Sequence, residues 1–148
     1  MSIQPDLLLR MPSTTVLVEA KRIRPGSFQA EQLAREYPVL ERDFASPTKV
    51  LLLVLPAPPP VAVRGRGRLS VRDAILQELE AVHTRAGDPP PLDDLIARLE
   101  SHCAWLMWGE LDRLLQEGLD ELSALPPNVA AAIGRGVAAA RRAIAWHS

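Results

Sequence analysis

The sequence predicts an α/β domain: a small mixed β-sheet flanked by helices, with a mainly helical C-terminal half. Three observations predict it. Two short β-type runs, Leu7 to Arg10 and Thr14 to Lys21, stand either side of Met11-Pro12-Ser13, a plausible hairpin turn. A segment with helical periodicity then leads into Lys49-Val-Leu-Leu-Leu-Val-Leu55, a continuous apolar run that reads as a strand covered on both faces. From Ser70 onward the apolar spacing is almost wholly helical.

Each element has a local cause. Pro25-Gly26 ends the second strand, and Ser27 is a candidate cap for a helix beginning near Phe28. In that helix Leu33, Tyr37, Leu40 and Phe44 recur at the 3.6-residue period and form a buried stripe. Pro38 falls inside it, so a kink or break is expected there. Strand, helix and strand in this order predict a right-handed parallel crossover. Pro56 to Leu69 is rich in proline, then in glycine and arginine, and reads as a loop.

Ser70 with Asp73 opens a helix to about Arg85, carrying Val71, Ile75, Leu79 and Val82 on one face. Gly87 to Pro91 is a linker before a helix from Asp93. His102 to Met107 reads as a short strand, and Trp108 through Leu122 as a helix. Pro126-Pro127 starts a last, alanine-rich helix. One domain over 1–148 is expected, with a hairpin-helix-strand core in 1–56, the loop in 57–69 and the helical extension in 70–148.

Bulk properties narrow the function classes. The chain has 148 residues, 47% hydrophobic and 24% charged, with a net charge of −1. No overall basic field draws it to nucleic acid, which argues against a DNA-coating protein but not against a local acidic site. A single cysteine, Cys103, leaves no internal disulfide framework and suits a reducing cytoplasm. The longest apolar run is too short to span a bilayer, and the first ten residues carry no visible secretion signal. Lys21 and Lys49 are the two lysines among fifteen arginines.

The chemistry is concentrated in Pro5-Asp6 and Glu19-Ala20-Lys21. Alternate strand residues share a face, so Glu19 and Lys21 point together. If Pro12-Ser13 is the turn, Met11 pairs with Thr14, and counting outward sets Asp6 opposite Glu19 on that same face. A four-residue loop gives the same parity, and an odd one moves Asp6 to the other side. Two carboxylates that close repel, and a hard divalent cation offsets the repulsion; magnesium commonly takes one or two protein carboxylates plus a substrate phosphate. A neighbouring ammonium offsets negative charge developing on the phosphate. The plainer alternative is a hairpin whose Glu19 and Lys21 simply face solvent.

Pro5-Asp6, Glu19-Ala20-Lys21 and a following helix with Gln32 and Tyr37 together resemble the PD-(D/E)XK nuclease superfamily, over about Pro5 to Leu55. The resemblance implies a restriction-endonuclease-like fold and metal-dependent hydrolysis of DNA phosphodiester bonds. It implies Mg2+ (or Mn2+) held by Asp6, Glu19 and the Ala20 carbonyl, with Lys21 assisting the nucleophile. Gln32 would orient substrate or water, with Gln29 as an alternative for that glutamine, and Tyr37 would contact the nucleic acid. Family members carry a helix and a first strand before the Pro-Asp strand, whereas four residues precede Pro5 here. A truncated start, a homodimer or partner chain completing the sheet edge, or a non-catalytic remnant serving assembly are the expectations that departure raises.

Other features carry less. Arg64, Arg66 and Arg68 alternate with glycine and are candidates for phosphate contacts or for a solvated loop. Trp105 and Trp108 are expected to anchor the late helices, and Trp146 to pack in a core or interface. His83, His102 and His147 show no metal-ligand spacing. Ile133, Val137, Ala140 and Ile144 make one stripe of the last helix, suited to close packing on the domain or on a second copy.

Overall fold

The computed structural model describes residues 3–21 and 29–147. In chain order it has strands β1 (Leu7–Arg10) and β2 (Thr14–Ala20), helix α1 (Ala30–Asp43) and strand β3 (Thr48–Leu55). Short strands β4 (Val61–Val63) and β5 (Gly67–Leu69) follow, then helices α2 (Val71–Arg85) and α3 (Leu92–His102). Strand β6 (Cys103–Met107) and helix α4 (Trp108–Asp120) come next, a 3-10 turn spans Glu121–Ala124, and α5 (Pro127–His147) ends the chain. The fold is the α/β arrangement the sequence predicts, with a helical C-terminal half. Among the described residues no helix is long and apolar enough to cross a membrane.

The main sheet runs β1-β2-β3-β6. β1 and β2 are antiparallel, with Leu7 opposite Val18 and Arg10 opposite Thr15. Met11 and Thr14 exchange both backbone hydrogen bonds across the turn, at 2.8 and 3.4 Å. That is the register of a two-residue Pro12-Ser13 turn. β3 lies parallel to β2 and β6 parallel to β3, as a chain returning through a helix each time requires.

One sheet face makes the core. Thr15, Leu17 and Glu19 of β2 share it with Leu51, Leu53 and Leu55 of β3, and all six are buried. α1 packs there through Leu33, Tyr37 and Leu40, and α2 and α3 add Ile75, Leu79, Leu95 and Leu99. The opposite face is covered only at its C-terminal end: Val54 is buried while Val50 and Leu52 are half-buried, so β3 is doubly covered over Leu53–Leu55 and not along its whole apolar run. β1 is exposed along its whole length, and Leu7, Leu8 and Leu9 keep 49%, 39% and 42% of their surface.

Several expectations need correcting. α1 runs through Pro38 without the break, one of the two alternatives expected there, and the proline sits buried in its middle. Phe44 is the residue after the helix, half-buried beneath the Arg10 guanidinium at 5.7 Å, rather than part of the buried stripe. The proposed strand end at Pro25-Gly26 and cap at Ser27 lie outside the described residues. Pro56 to Leu69 is not simply a loop, because β4 and β5 form an antiparallel hairpin within it. Its turn uses Gly65 and Gly67 at φ +76° and +79°, a region that L-residues with a Cβ seldom occupy. Ser70 does cap α2, its hydroxyl accepting the Asp73 N–H at 3.0 Å. Trp105, expected as an anchor, is 43% exposed on the β6 edge. In α5, Ile144 is buried while Ile133 remains 41% exposed.

Tyr37 is the largest fully buried side chain, and its hydroxyl donates to the Leu95 carbonyl at 2.8 Å. Its expected contact with nucleic acid is therefore corrected: no part of the ring reaches solvent. Tyr37→Phe leaves a buried carbonyl on α3 without that donor. A loss of about 1–2 kcal/mol is expected, read as a lower urea midpoint with an unchanged slope.

Candidate active site

The β1–β2 register carries Asp6 to the position facing Glu19, one step beyond the last paired residue. Asp6 is exposed, and its Oδ2 accepts the Ala20 N–H at 2.7 Å. This follows from strand alternation. Even-numbered residues of β2 turn their N–H and C=O toward β1, and where β1 gives way to Asp6 the carboxylate takes the place of the next backbone acceptor. The Ala20 carbonyl points to the same side. Odd-numbered residues face β3, and the Lys21 N–H bonds the Val54 carbonyl at 2.9 Å.

Glu19 is 3% exposed at the C-terminal end of β2. Its Oε1 accepts from Lys21 Nζ at 2.6 Å and from Gln32 Nε2 at 2.9 Å. Gln32 lies in the first turn of α1, and the same amide also donates to Glu36 Oε1 at 3.1 Å. One glutamine thus bridges two buried glutamates. The outer oxygens, Glu19 Oε2 and Glu36 Oε2, are buried without a hydrogen-bond partner. Buried carboxylate oxygens left in that condition are costly.

Glu36 is the residue that the sequence reading passed over as a site member. It belongs to the polar stripe Gln29-Gln32-Glu36, which reads equally well as a solvated helix face. In the fold it is 1% exposed and lies next to a cleft of about 330 Å³ lined also by Ile3, Gln4, Gln32 and Arg35. Burial, then the nearby Glu19 charge, push its carboxyl up to about 7; the Gln32 hydrogen bond and Lys21 pull the other way, and Asp6 adds to the rise. The available signal was its position, one helical turn beyond Gln32 and next to the core residue Tyr37.

Trp108, the first residue of α4, donates its indole N–H to the Lys21 carbonyl at 2.7 Å. The C-terminal half thereby fixes the backbone of the lysine. Sequence reasoning assigned Trp108 to helix anchoring and missed this link. Gln29, the alternative glutamine, is the exposed residue just before α1 and adjoins a second cleft with Arg64, Arg66 and Glu78. Arg66 pairs with Glu78 at 2.5 Å, and Arg68 donates to the Pro60 carbonyl at 2.9 Å. The three arginines are thus exposed on a hairpin beside the start of α1, and two of them already have partners.

At the opposite end of the sheet a third buried carboxylate, Glu41, bonds His102 Nδ1 at 2.6 Å through Oε1, has Lys49 and Arg98 at 3.8 and 3.7 Å, and likewise keeps Oε2 without a hydrogen-bond partner. Lys49 also donates to the Glu41 carbonyl at 2.6 Å. This cluster ties the end of α1 to α3 and β3. Burial raises the thiol of Cys103 beside it to about 11, which disfavours the thiolate.

Among the described residues no group of three or more His, Cys, Asp or Glu is arranged to hold a metal ion. The structure does bring together Asp6, Glu19, Lys21 and Gln32, and it adds Glu36. No protein-family model, curated protein or solved structure matches the chain.

Proposed function

We propose that this chain hydrolyses phosphodiester bonds in DNA with the help of a divalent cation, magnesium or manganese. The observation that carries the reading is the pair of buried, partnerless oxygens on Glu19 and Glu36, with a lysine ammonium 2.6 Å from one of those carboxylates. Asp6, Glu19 and the Ala20 carbonyl are hard oxygen donors on one side of one hairpin, which fits such an ion. When bound, the ion would polarise a phosphoryl oxygen and acidify a coordinated water.

The chain's own residues have separable tasks. Lys21, with a side chain 24% exposed, offsets the Glu19 charge and would offset the negative charge that develops on the phosphate. Gln32 locks the two glutamates into one orientation through a single amide. Trp108 holds the Lys21 backbone still. Arg64, at the edge of the cleft beside Gln29, is the best placed of the three hairpin arginines to meet a backbone phosphate.

A second reading, a non-catalytic assembly module, is favoured by one observation: no third acid completes a metal-binding group among the described residues. The two are separated by thermal unfolding with and without magnesium, alongside cleavage of linear and circular duplex DNA. Asp6 is exposed and its loss leaves only the Ala20 N–H to water, so Asp6→Ala should keep the melting temperature of the wild type in chelator. It should lose both the magnesium-induced rise and the cleavage. A wild type that neither cleaves nor responds to magnesium supports the assembly module; cleavage by Asp6→Ala at the wild-type rate removes the assignment of Asp6.

A further inference from the structure

We infer that two copies of this chain pair β1 to β1, antiparallel about a twofold axis through Leu8, into one continuous eight-stranded sheet. The inference stands apart from the nuclease reading, and it begins with backbone parity. Met11 and Thr14 exchange both hydrogen bonds, so Leu9–Val16 and Leu7–Val18 are also bonded pairs. Leu8 and Arg10, and Asp6 by the same alternation, turn their N–H and C=O away from β2. Among the described residues no strand lies beyond those groups, and the edge carries three consecutive leucines, each more than a third exposed. Apart from Arg10 the strand has none of the lysines, prolines or bulges that usually protect such an edge.

The side chains select the occupant. In an antiparallel pairing of β1 with itself, outward donors meet outward acceptors only when even-numbered residues face even-numbered residues. With Leu8 opposite its own copy, Leu7 faces Leu9 and Asp6 faces Arg10, twice over. The segment Asp6-Leu-Leu-Leu-Arg10 is thus self-complementary in both charge and apolar character. The neighbouring allowed registers are poorer. Centring on Leu9 sets Leu8 against Arg10, and centring on Leu7 sets Asp6 against Leu8. A self-complementary patch is what a twofold interface requires. Asp6 and Arg10 also share the sheet face of Glu19, so each copy would bring an arginine to the rim of the other's acidic cluster. The other sheet edge, β6, has no charged residue and runs directly from α3 and into α4.

The test is the molar mass of the full chain by light scattering and sedimentation, from low micromolar upward. Twice 16.2 kDa is expected for the wild type. Leu8→Pro removes an N–H that β1 does not give to β2, and it should yield a monomer. Because proline also restricts the strand itself, Arg10→Glu is the second variant: it sets like charges opposite one another and should weaken the dimer by ~10-fold or more. The charge-exchanged double variant Asp6→Arg with Arg10→Asp should restore it. In a Cys103→Ser background, Leu8→Cys should oxidise to a disulfide-linked dimer, since residues facing across a bonded antiparallel pair stand about 5.5 Å apart at Cα. Leu9→Cys should not. A monomer at every concentration overturns the inference. So does a dimer indifferent to all these changes, which would use another surface such as the α4–α5 hairpin. Cross-linking through Leu9→Cys in place of Leu8→Cys overturns the register.

Discussion

Lys21→Gln is expected to lower magnesium-dependent DNA cleavage by roughly 10²–10³-fold at a smaller cost in stability than the alanine variant. Glutamine keeps a donor for Glu19 Oε1 but removes the positive charge. The substitution therefore tests the charge at the phosphate separately from the support of a buried carboxylate. Alanine is a poorer probe. Lys21 Nζ lies 2.6 Å from a glutamate that is 3% exposed, and stripping the cation from a buried pair costs about 3 kcal/mol or more. Both variants give up that cation, but Lys21→Ala also takes a donor from Glu19 Oε1 and should lose more stability for a similar loss of activity. Turnover on linear duplex DNA and urea unfolding of the same preparation provide the check. Wild-type turnover by Lys21→Gln would remove the lysine from the reaction.

The sequence reading succeeds where a local rule decides the outcome. A two-residue turn at Pro12-Ser13 sets the register of the hairpin, and the register alone brings Asp6 to Glu19. The Ser70 cap, the start of α5 at Pro127 and the short strand after His102 also follow from neighbours in sequence. It fails where the deciding contacts lie far along the chain. Glu41 and His102 are 61 residues apart, and nothing local announces that they meet.

Glu36 and Tyr37 make the point on adjacent positions. The apolar stripe Leu33-Tyr37-Leu40 already placed Tyr37 in the core, and that periodicity was the better guide than the family resemblance that turned it toward nucleic acid. Glu36 has no such local signal, because a polar stripe gives no sign of what packs over it. In the Pro56 to Leu69 segment the alternation Val61-Ala62-Val63, followed by two glycines, is itself a hairpin pattern, hidden by the surrounding prolines.

Glu36→Gln is expected to stabilise the protein at alkaline pH and to change little at acid pH. The Glu36 carboxyl titrates at about 7 in the fold against 4.5 for the ordinary group, because burial and the Glu19 charge both oppose its ionisation. Below pH 4.5 it is protonated whether the chain is folded or not, and it imposes no penalty. Between pH 4.5 and 7 the unfolded chain releases this proton while the folded chain keeps it. The folded state then binds more protons, so stability falls as pH rises, and above pH 7 the loss is constant. At about 1.4 kcal/mol per pH unit the full loss is up to about 3 kcal/mol, and glutamine, neutral throughout, should escape it. The amide can still bond Gln32, so the helix need not repack. Urea unfolding at pH 4.5 and pH 8 reads the difference: a large gain for the variant at pH 8 and almost none at pH 4.5. Equal gains at both pH values would assign the effect to packing instead. Glu19 and Glu36 each keep one buried oxygen without a hydrogen-bond partner, and a local cost of this kind is commonly met at functional sites.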